Sequence, residues 1–128
     1  VFDVNGLKRI NDTKGHEMGD ELIKAAAGAI KTVFSEDEIF RTGGDEFTVI
    51  TENSADAEIQ SNMAAFLEAV DEFNKENTLD FTLSVSAGYA VFERGEDKEY
   101  KSVFDRADKA MYETKEAFYK THEDMRRK

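Results

Sequence analysis

The sequence predicts one α/β domain of the α+β kind, with a mixed, partly antiparallel sheet flanked by helices. Three observations carry that expectation. Apolar residues recur at helical spacing over residues 19–34, 54–77 and 102–120. Phe81, Leu83, Val85, Ala87, Tyr89 and Val91 alternate strictly with other residues, as in a strand. Gly43-Gly44 joins two short strand-like runs, and a glycine pair there signals a hairpin because glycine reaches positive φ without a Cβ clash.

Taken in order, Val1–Val4 is apolar except for Asp3 and reads as a strand end. Leu7 and Ile10 lie three apart and predict a short helix over residues 6–12, followed by a turn at Thr13-Lys14-Gly15-His16. Leu22, Ala25, Ala26, Ala29, Ile30 and Val33 form the inner face of the next helix. Residues 38–42 and 46–51 are the two hairpin strands. Ile59, Met63, Phe66, Leu67, Val70 and Phe73 share one face of a helix from Ser54 to about Asn77. The alternating run predicts a long strand over residues 80–92, and residues 95–99 a polar loop. Val103, Phe104, Ala107, Met111 and Phe118 point a final helix inward. The order β-α-α-β-β-α-β-α suits a helix-covered sheet of the ferredoxin-like or polymerase-palm type.

The chain has 128 residues, a length that suits a single domain. Its 28 acidic and 17 basic side chains give a net charge of −11. That balance argues against nonspecific nucleic-acid binding, which rests on lysine and arginine meeting phosphates. It leaves a nucleotide ligand open, since a metal ion brings carboxylates and phosphates together. The absence of cysteine excludes disulfides, thiolate metal sites and cysteine nucleophiles. His16 and His122 are too few for a histidine-rich zinc site. The longest small or apolar stretch, Ala25–Ile30, falls far short of the ~20 residues that span a bilayer. The opening residues lack a signal-peptide pattern. The absence of proline fits a compact domain without Pro-rich joints. Val1 starts in mid-pattern and Met125-Arg126-Arg127-Lys128 stops without a cap, so residues 1–128 are expected to be one domain excised from a longer protein.

Three places could carry chemistry. Asp3 lies in an apolar strand end, where a carboxylate must be paired, bind a metal, or cap the following helix. Asp45 and Glu46 follow the Gly43-Gly44 turn and, as strand neighbours, face opposite ways, so they do different jobs or form a solvated hairpin tip. Asn11 through Asp20 is a polar stretch between two helices. Asn11 can donate and accept while Asp20 accepts only, a pair able to read a purine edge, or simply turn and cap chemistry. Other motifs fail. Asp3-Val4-Asn5-Gly6 lacks the calcium-loop spacing, no Lys-Ser or Lys-Thr follows Gly15 or Gly19, and there is no nucleophile elbow. Glu36-Asp37-Glu38 reads as a solvated turn. Asp3 and Asp45, brought together, could share one or two magnesium ions with phosphate oxygens, the arrangement of in-line nucleotidyl transfer.

Asp3-Val4-Asn5-Gly6-Leu7-Lys8-Arg9-Ile10-Asn11-Asp12-Thr13-Lys14-Gly15-His16-Glu17-Met18-Gly19-Asp20, followed by Gly43-Gly44-Asp45-Glu46-Phe47, resembles the GGDEF domain of diguanylate cyclases. Ser86-Ala87-Gly88 and the stretch from Ala107 to Lys115 match further blocks, so the resemblance runs from Val1 to Lys115. It implies a palm-like, ferredoxin-like mixed sheet flanked by helices, with a β-hairpin carrying the motif. It implies a bacterial signalling enzyme that condenses two GTP molecules into cyclic di-GMP with release of pyrophosphate, as a homodimer. Two Mg²⁺ ions per active site, or Mn²⁺, would be held by Asp3, Asp45 and the Val4 carbonyl. Asp45 would deprotonate the attacking 3′-hydroxyl, Glu46 support the metal site, and Lys8 offset phosphate charge. Asn11 and Asp20 would read guanine, His16 lie near the substrate, and Lys115 reach the terminal phosphates. Asp20 accepts from guanine N1–H and the amino group; adenine offers neither, and an unpaired buried acceptor costs ~1–3 kcal/mol, which favours GTP over ATP. The resemblance places the domain in the cytoplasm, without membrane contact of its own, behind an upstream sensory or regulatory domain.

This chain departs from the family at four places. The usual N-terminal stretch, with a turn and helix before the first strand, is absent. Phe34 stands where the inhibitory product site has arginine, with Asp37 at the aspartate, so product inhibition there is expected to be weak. Tyr119 stands where a second basic phosphate contact is common, with Lys120 beside it. Asn5 and Gly6-Leu7 vary positions often filled by an acid and aromatics. The alternative implied by these departures is a catalytically weak or inactive GGDEF domain that binds GTP and regulates a partner domain. A purely structural palm-like domain is the third reading.

Overall fold

The computed structural model describes residues 1–35, 37–52 and 55–122. Glu36, Ser54 and the tail from Met125, named above, lie outside the described residues. The elements are β1 (Phe2–Val4), α1 (Leu7–Lys14), α2 (His16–Val33), β2 (Glu38–Arg41), β3 (Glu46–Ile50), α3 (Asp56–Glu76), β4 (Val85–Ala87) and α4 (Tyr100–Thr121). They follow the predicted order. The turn expected over Thr13–His16 shrinks to Gly15, whose φ of +91° breaks two nearly continuous helices.

The sheet order is β2-β3-β1-β4, and each neighbouring pair is antiparallel. The parallel relations that a mixed sheet would contain exist only between non-neighbours: β3 separates β1 from β2, and β1 separates β3 from β4. This is the split β-α-β arrangement of ferredoxin-like domains.

β1 is the middle of the sheet, and its alternation sorts the molecule into two sides. Phe2 and Val4 enter a large core with Leu22, Ile30 and Phe66. Phe2 meets Phe66 at 4.8 Å and Phe34 at 5.9 Å, both edge-on, a geometry that adds roughly 0.5–1.5 kcal/mol per pair beyond burial. Phe34, 3% exposed, therefore faces the core and offers no side chain to a solvent ligand. Val1 instead joins Ala107 and Met111 of α4 in a second, smaller cluster.

The strand predicted over residues 80–92 is realised only at Val85–Ala87. Its sole partner is β1, paired Phe2 to Ala87 and Val4 to Val85. At one end the pairing stops after Asn5 N–H reaches Ser84 C=O, because Gly6, at φ +79°, turns the chain into α1. At the other it stops at Val1 and Gly88, which exchange both backbone hydrogen bonds. Beyond them an apolar groove of about 630 Å³ continues the line of β1, with Val49 and Ile50 on one side and Tyr89 and Val91 on the other. Alternation records which face is apolar, but a strand also needs a neighbour to bond.

Gly88 holds α4 on the sheet. A Cβ there would lie 2.1 Å from Met111 N and 2.7 Å from Ala107 O, both backbone atoms that cannot swing aside. Gly88→Ala is expected to destabilise the domain by at least about 2 kcal/mol, read by urea unfolding.

Candidate active site

The end of β1 and the β2–β3 hairpin come together through the sheet register. Asp3 pairs with Glu46 on one side and Ser86 on the other. Val4 N–H donates to the Asp45 carbonyl at 2.7 Å, which ties the hairpin loop to the residue after Asp3. Thr42 N–H donates to the Glu46 carbonyl at 2.9 Å and closes the loop over Gly43-Gly44-Asp45. Neither loop glycine has positive φ, so the conformational reason expected for the pair is not the one at work. A Cβ on Gly44 would meet nothing within 4 Å, so neither backbone conformation nor close packing requires glycine there.

The Glu46 carboxylate accepts from Thr42 Oγ1 at 2.8 Å and braces the hairpin. Asp45 occupies the loop end, half-buried.

Asp3 is the unusual group. It is 6% exposed, and only one carboxylate oxygen is matched: Lys115 Nζ of α4 donates to Oδ2 at 3.2 Å. Oδ1 is buried without a hydrogen-bond partner. A buried acceptor left this way costs ~1–3 kcal/mol, more when charged. An open, desolvated carboxylate oxygen beside a second carboxylate-bearing residue and the carbonyl-rich end of β1 suits a hard divalent cation such as Mg²⁺ or Mn²⁺, which prefers oxygen donors. Among the described residues no cluster of three or more His, Asp or Glu side chains is set to hold a metal. Asp3 and Asp45 would therefore share the ion with backbone, water and ligand oxygens.

A second group lies on α1 and α2. A Cβ on Gly19 would fall 1.8 Å from Asn11 Oδ1, so the glycine is what lets the Asn11 amide seat against α2, next in sequence to Asp20. Asn11 is half-buried, whereas His16 and Asp20 are exposed. Any penalty for an unpaired Asp20 thus arises only when a ligand covers it. Lys8 does not join Asp3; it pairs with Asp12 along α1 at 2.8 Å, both side chains exposed. Such pairs are worth ~0.3–0.5 kcal/mol, so freeing Lys8 for a phosphate costs little.

Two polar residues were not assigned to the site by sequence. Asn5 is buried and clamps β1 to β4, donating to Ser84 Oγ and accepting from Ser86 Oγ, each at 3.0 Å. The available signal was serine at alternate positions of the β4 pattern. Tyr119 was noted as a substitution, but its contact with the Gly6 N–H was not foreseen. Its signal is the four-residue spacing from Lys115, which stacks both on one helix face.

An antiparallel ferredoxin-like sheet with an acidic hairpin beside a buried, half-matched aspartate defines a palm-like α+β domain. More particularly, the chain belongs to the GGDEF family, since residues 1–120 match the family described as diguanylate cyclase, GGDEF domain. It is 38% identical over 121 residues to the diguanylate cyclase DgcP of Pseudomonas aeruginosa, covering 91% of this chain and 17% of that protein. It is 34% identical over 115 residues to the diguanylate cyclase DosC of Escherichia coli, covering 88% of this chain and 25% of that one. The chain thus spans a quarter or less of these curated relatives. Its fold is similar to the active GGEEF domain of a Vibrio cholerae diguanylate cyclase, with TM-score 0.78, 25% identity, and coverage of 91% and 74% of the two chains. It is also similar to the GGDEF domain of DgcB from Caulobacter crescentus in complex with c-di-GMP, with TM-score 0.76, 29% identity, and coverage of 91% and 70%. No helix among the described residues is long and apolar enough to cross a membrane.

Asp3→Asn tests the reading of the buried carboxylate. It removes a desolvated charge, and Lys115, 23% exposed, can turn to water instead of being stranded. Unfolding free energy should stay within about 1 kcal/mol of the parent or rise, while the stabilisation of the parent by Mg²⁺ disappears. Thermal unfolding with and without Mg²⁺ measures both.

Proposed function

We propose that this domain condenses two GTP molecules into cyclic di-GMP and pyrophosphate, with one GTP on each subunit of a homodimer. The observation that carries the reading is the buried Asp3 carboxylate with its open oxygen, registered against the Gly43–Phe47 hairpin. Asp3, Asp45 and the Val4 carbonyl would hold two Mg²⁺ ions, or Mn²⁺, which when bound neutralise phosphate charge and make the 3′-hydroxyl easier to ionise.

The chain's own residues do the rest. Asp45 accepts the proton of the attacking 3′-hydroxyl, whose oxygen then bonds to the α-phosphorus of the other GTP as pyrophosphate leaves. Glu46 keeps the hairpin in place through Thr42. Lys115 and Lys8 offset the charge that builds on the phosphates, an effect strongest where water is excluded. Asn11 and Asp20 hold the guanine edge, and His16 borders it. An acidic carboxylate at Asp20 accepts from guanine and finds no donors at that edge of adenine.

The same reading makes residues 1–128 one domain of a longer cytoplasmic protein with a sensory or regulatory domain upstream. A second reading is a GGDEF domain that binds GTP without turning it over. Tyr119 supports it, since the resemblance implies a basic phosphate contact at this position and this chain has a neutral phenol there.

Chromatography of products after incubation with Mg²⁺ and GTP at high protein concentration separates these readings. A cyclic dinucleotide is expected from the parent. Asp45→Ala is expected to fold normally and yield none, a loss of at least about 10²-fold. Undiminished product from that variant would overturn the assignment of Asp45. Binding of GTP by the parent without product would support the regulatory reading.

A further inference from the structure

Asp3 and Ser86 stand directly opposite each other across β1 and β4. In an antiparallel pair such residues bring their Cβ atoms to about 4.5–5.5 Å, within reach of a bond from a serine hydroxyl to the facing carboxylate. Both residues are buried, Asp3 at 6% exposed and Ser86 at 1%. Yet Asp3 Oδ1 has no hydrogen-bond partner. The Ser86 hydroxyl is turned along the strand instead and donates to Asn5 Oδ1 at 3.0 Å. A serine has one hydroxyl proton to give, so what Asn5 takes, the facing carboxylate goes without. Asn5 is itself fixed. Its Nδ2 donates to Ser84 Oγ at 3.0 Å, and its backbone N–H donates to the Ser84 carbonyl at 2.9 Å. Those bonds orient the amide with its oxygen toward Ser86.

We propose that Asn5 is a positioning residue for the Asp3 site: it draws the Ser86 hydroxyl away, and so keeps Asp3 Oδ1 open to a divalent cation. The inference rests on the cation reading of Asp3 above and deepens it. Hydrogen bonds to a charged group are stronger than those between neutral groups, so a Ser86 hydroxyl released from Asn5 would turn to Asp3. A cation would then have to displace that hydroxyl, and the buried serine would lose its bond with no water to replace it. Asn5 offers the hydroxyl an acceptor for which no cation competes. The open oxygen is thus set by a residue that need not touch the cation.

Mn²⁺ binding without nucleotide, followed by the electron paramagnetic resonance signal of the free ion, tests this, with Asp3→Asn marking the binding that belongs to the site. Asn5→Ala is expected to weaken that binding about tenfold, because Ser86 turns to Asp3. Adding Ser86→Ala to it should restore the parent affinity to within about twofold. A merely structural asparagine would leave the double variant no better than the single one. Asn5→Asp keeps an acceptor for Ser86 and should bind Mn²⁺ at least as tightly as the parent, which keeps the test open if urea unfolding shows that Asn5→Ala does not fold. Unchanged affinity in Asn5→Ala, a loss that Ser86→Ala does not recover, or weaker binding by Asn5→Asp would overturn the proposal. A parent that binds Mn²⁺ no better than Asp3→Asn would overturn the cation reading itself, and this inference with it.

Discussion

A three-residue central strand is the constraint on which the rest of the molecule depends. β1 is flanked by β3 and β4, so it sets both registers at once. Its pleat sends Phe2 and Val4 into the main core and Val1 and Asp3 toward α4. Because side chains alternate along the strand, the core and the site are adjacent residues. Phe2 anchors the aromatic contacts with Phe34 and Phe66, and Asp3, the next residue, is the half-matched carboxylate. The same packing that buries Phe2 desolvates Asp3. Gly88 then brings α4 close enough for Lys115 to neutralise part of that charge.

The site divides into contacts that are costly to change and contacts that are cheap. The Asp3–Lys115 pair is largely buried, so the packing of α4 on the sheet fixes its geometry. The Lys8–Asp12 pair is exposed and worth only ~0.3–0.5 kcal/mol. The carboxylate side is thus fixed before any ligand arrives, while Lys8, His16 and Asp20 remain at the surface and can adjust. On the proposed reading, an acid fixed in advance would avoid reorganisation during reaction, where electrostatic catalysis gains most. The cost is a less stable fold around an unmatched oxygen, the usual exchange between activity and stability.

Most of the architecture was legible because helical spacing and alternation report which side chains are buried. The order of eight elements and the hairpin at Gly43-Gly44 follow from those patterns. What the patterns omit is pairing. Residues 88–92 alternate as a strand does, yet β1 gives them no neighbour, and they line a groove instead. The motif residues themselves were legible from type and spacing, but their partners were not. Glu46 was legible as a motif acid, whereas its bond to Thr42 depends on hairpin geometry. Gly43 and Gly44 pointed to the right turn for a reason the structure does not bear out, since neither has positive φ. Asn11 was visible as a polar residue between helices; that Gly19 seats it required the crossing of α1 on α2.

The excess of acid across the chain makes the matched cations near Asp3 more significant than their number suggests. A polyphosphate approaching a protein of net charge −11 meets repulsion that salt screens only beyond about 8 Å at physiological ionic strength. Inside that distance the sign of the local groups decides. Lys115 is already committed to Asp3, and Lys8 to Asp12. Lys8 is released from its exposed partner at little cost, whereas Lys115 would be released to a phosphate only if something else balanced Asp3. On the reading proposed above, a divalent cation held by Asp3 would supply that balance, and cation and phosphate would then favour each other's binding through a single lysine.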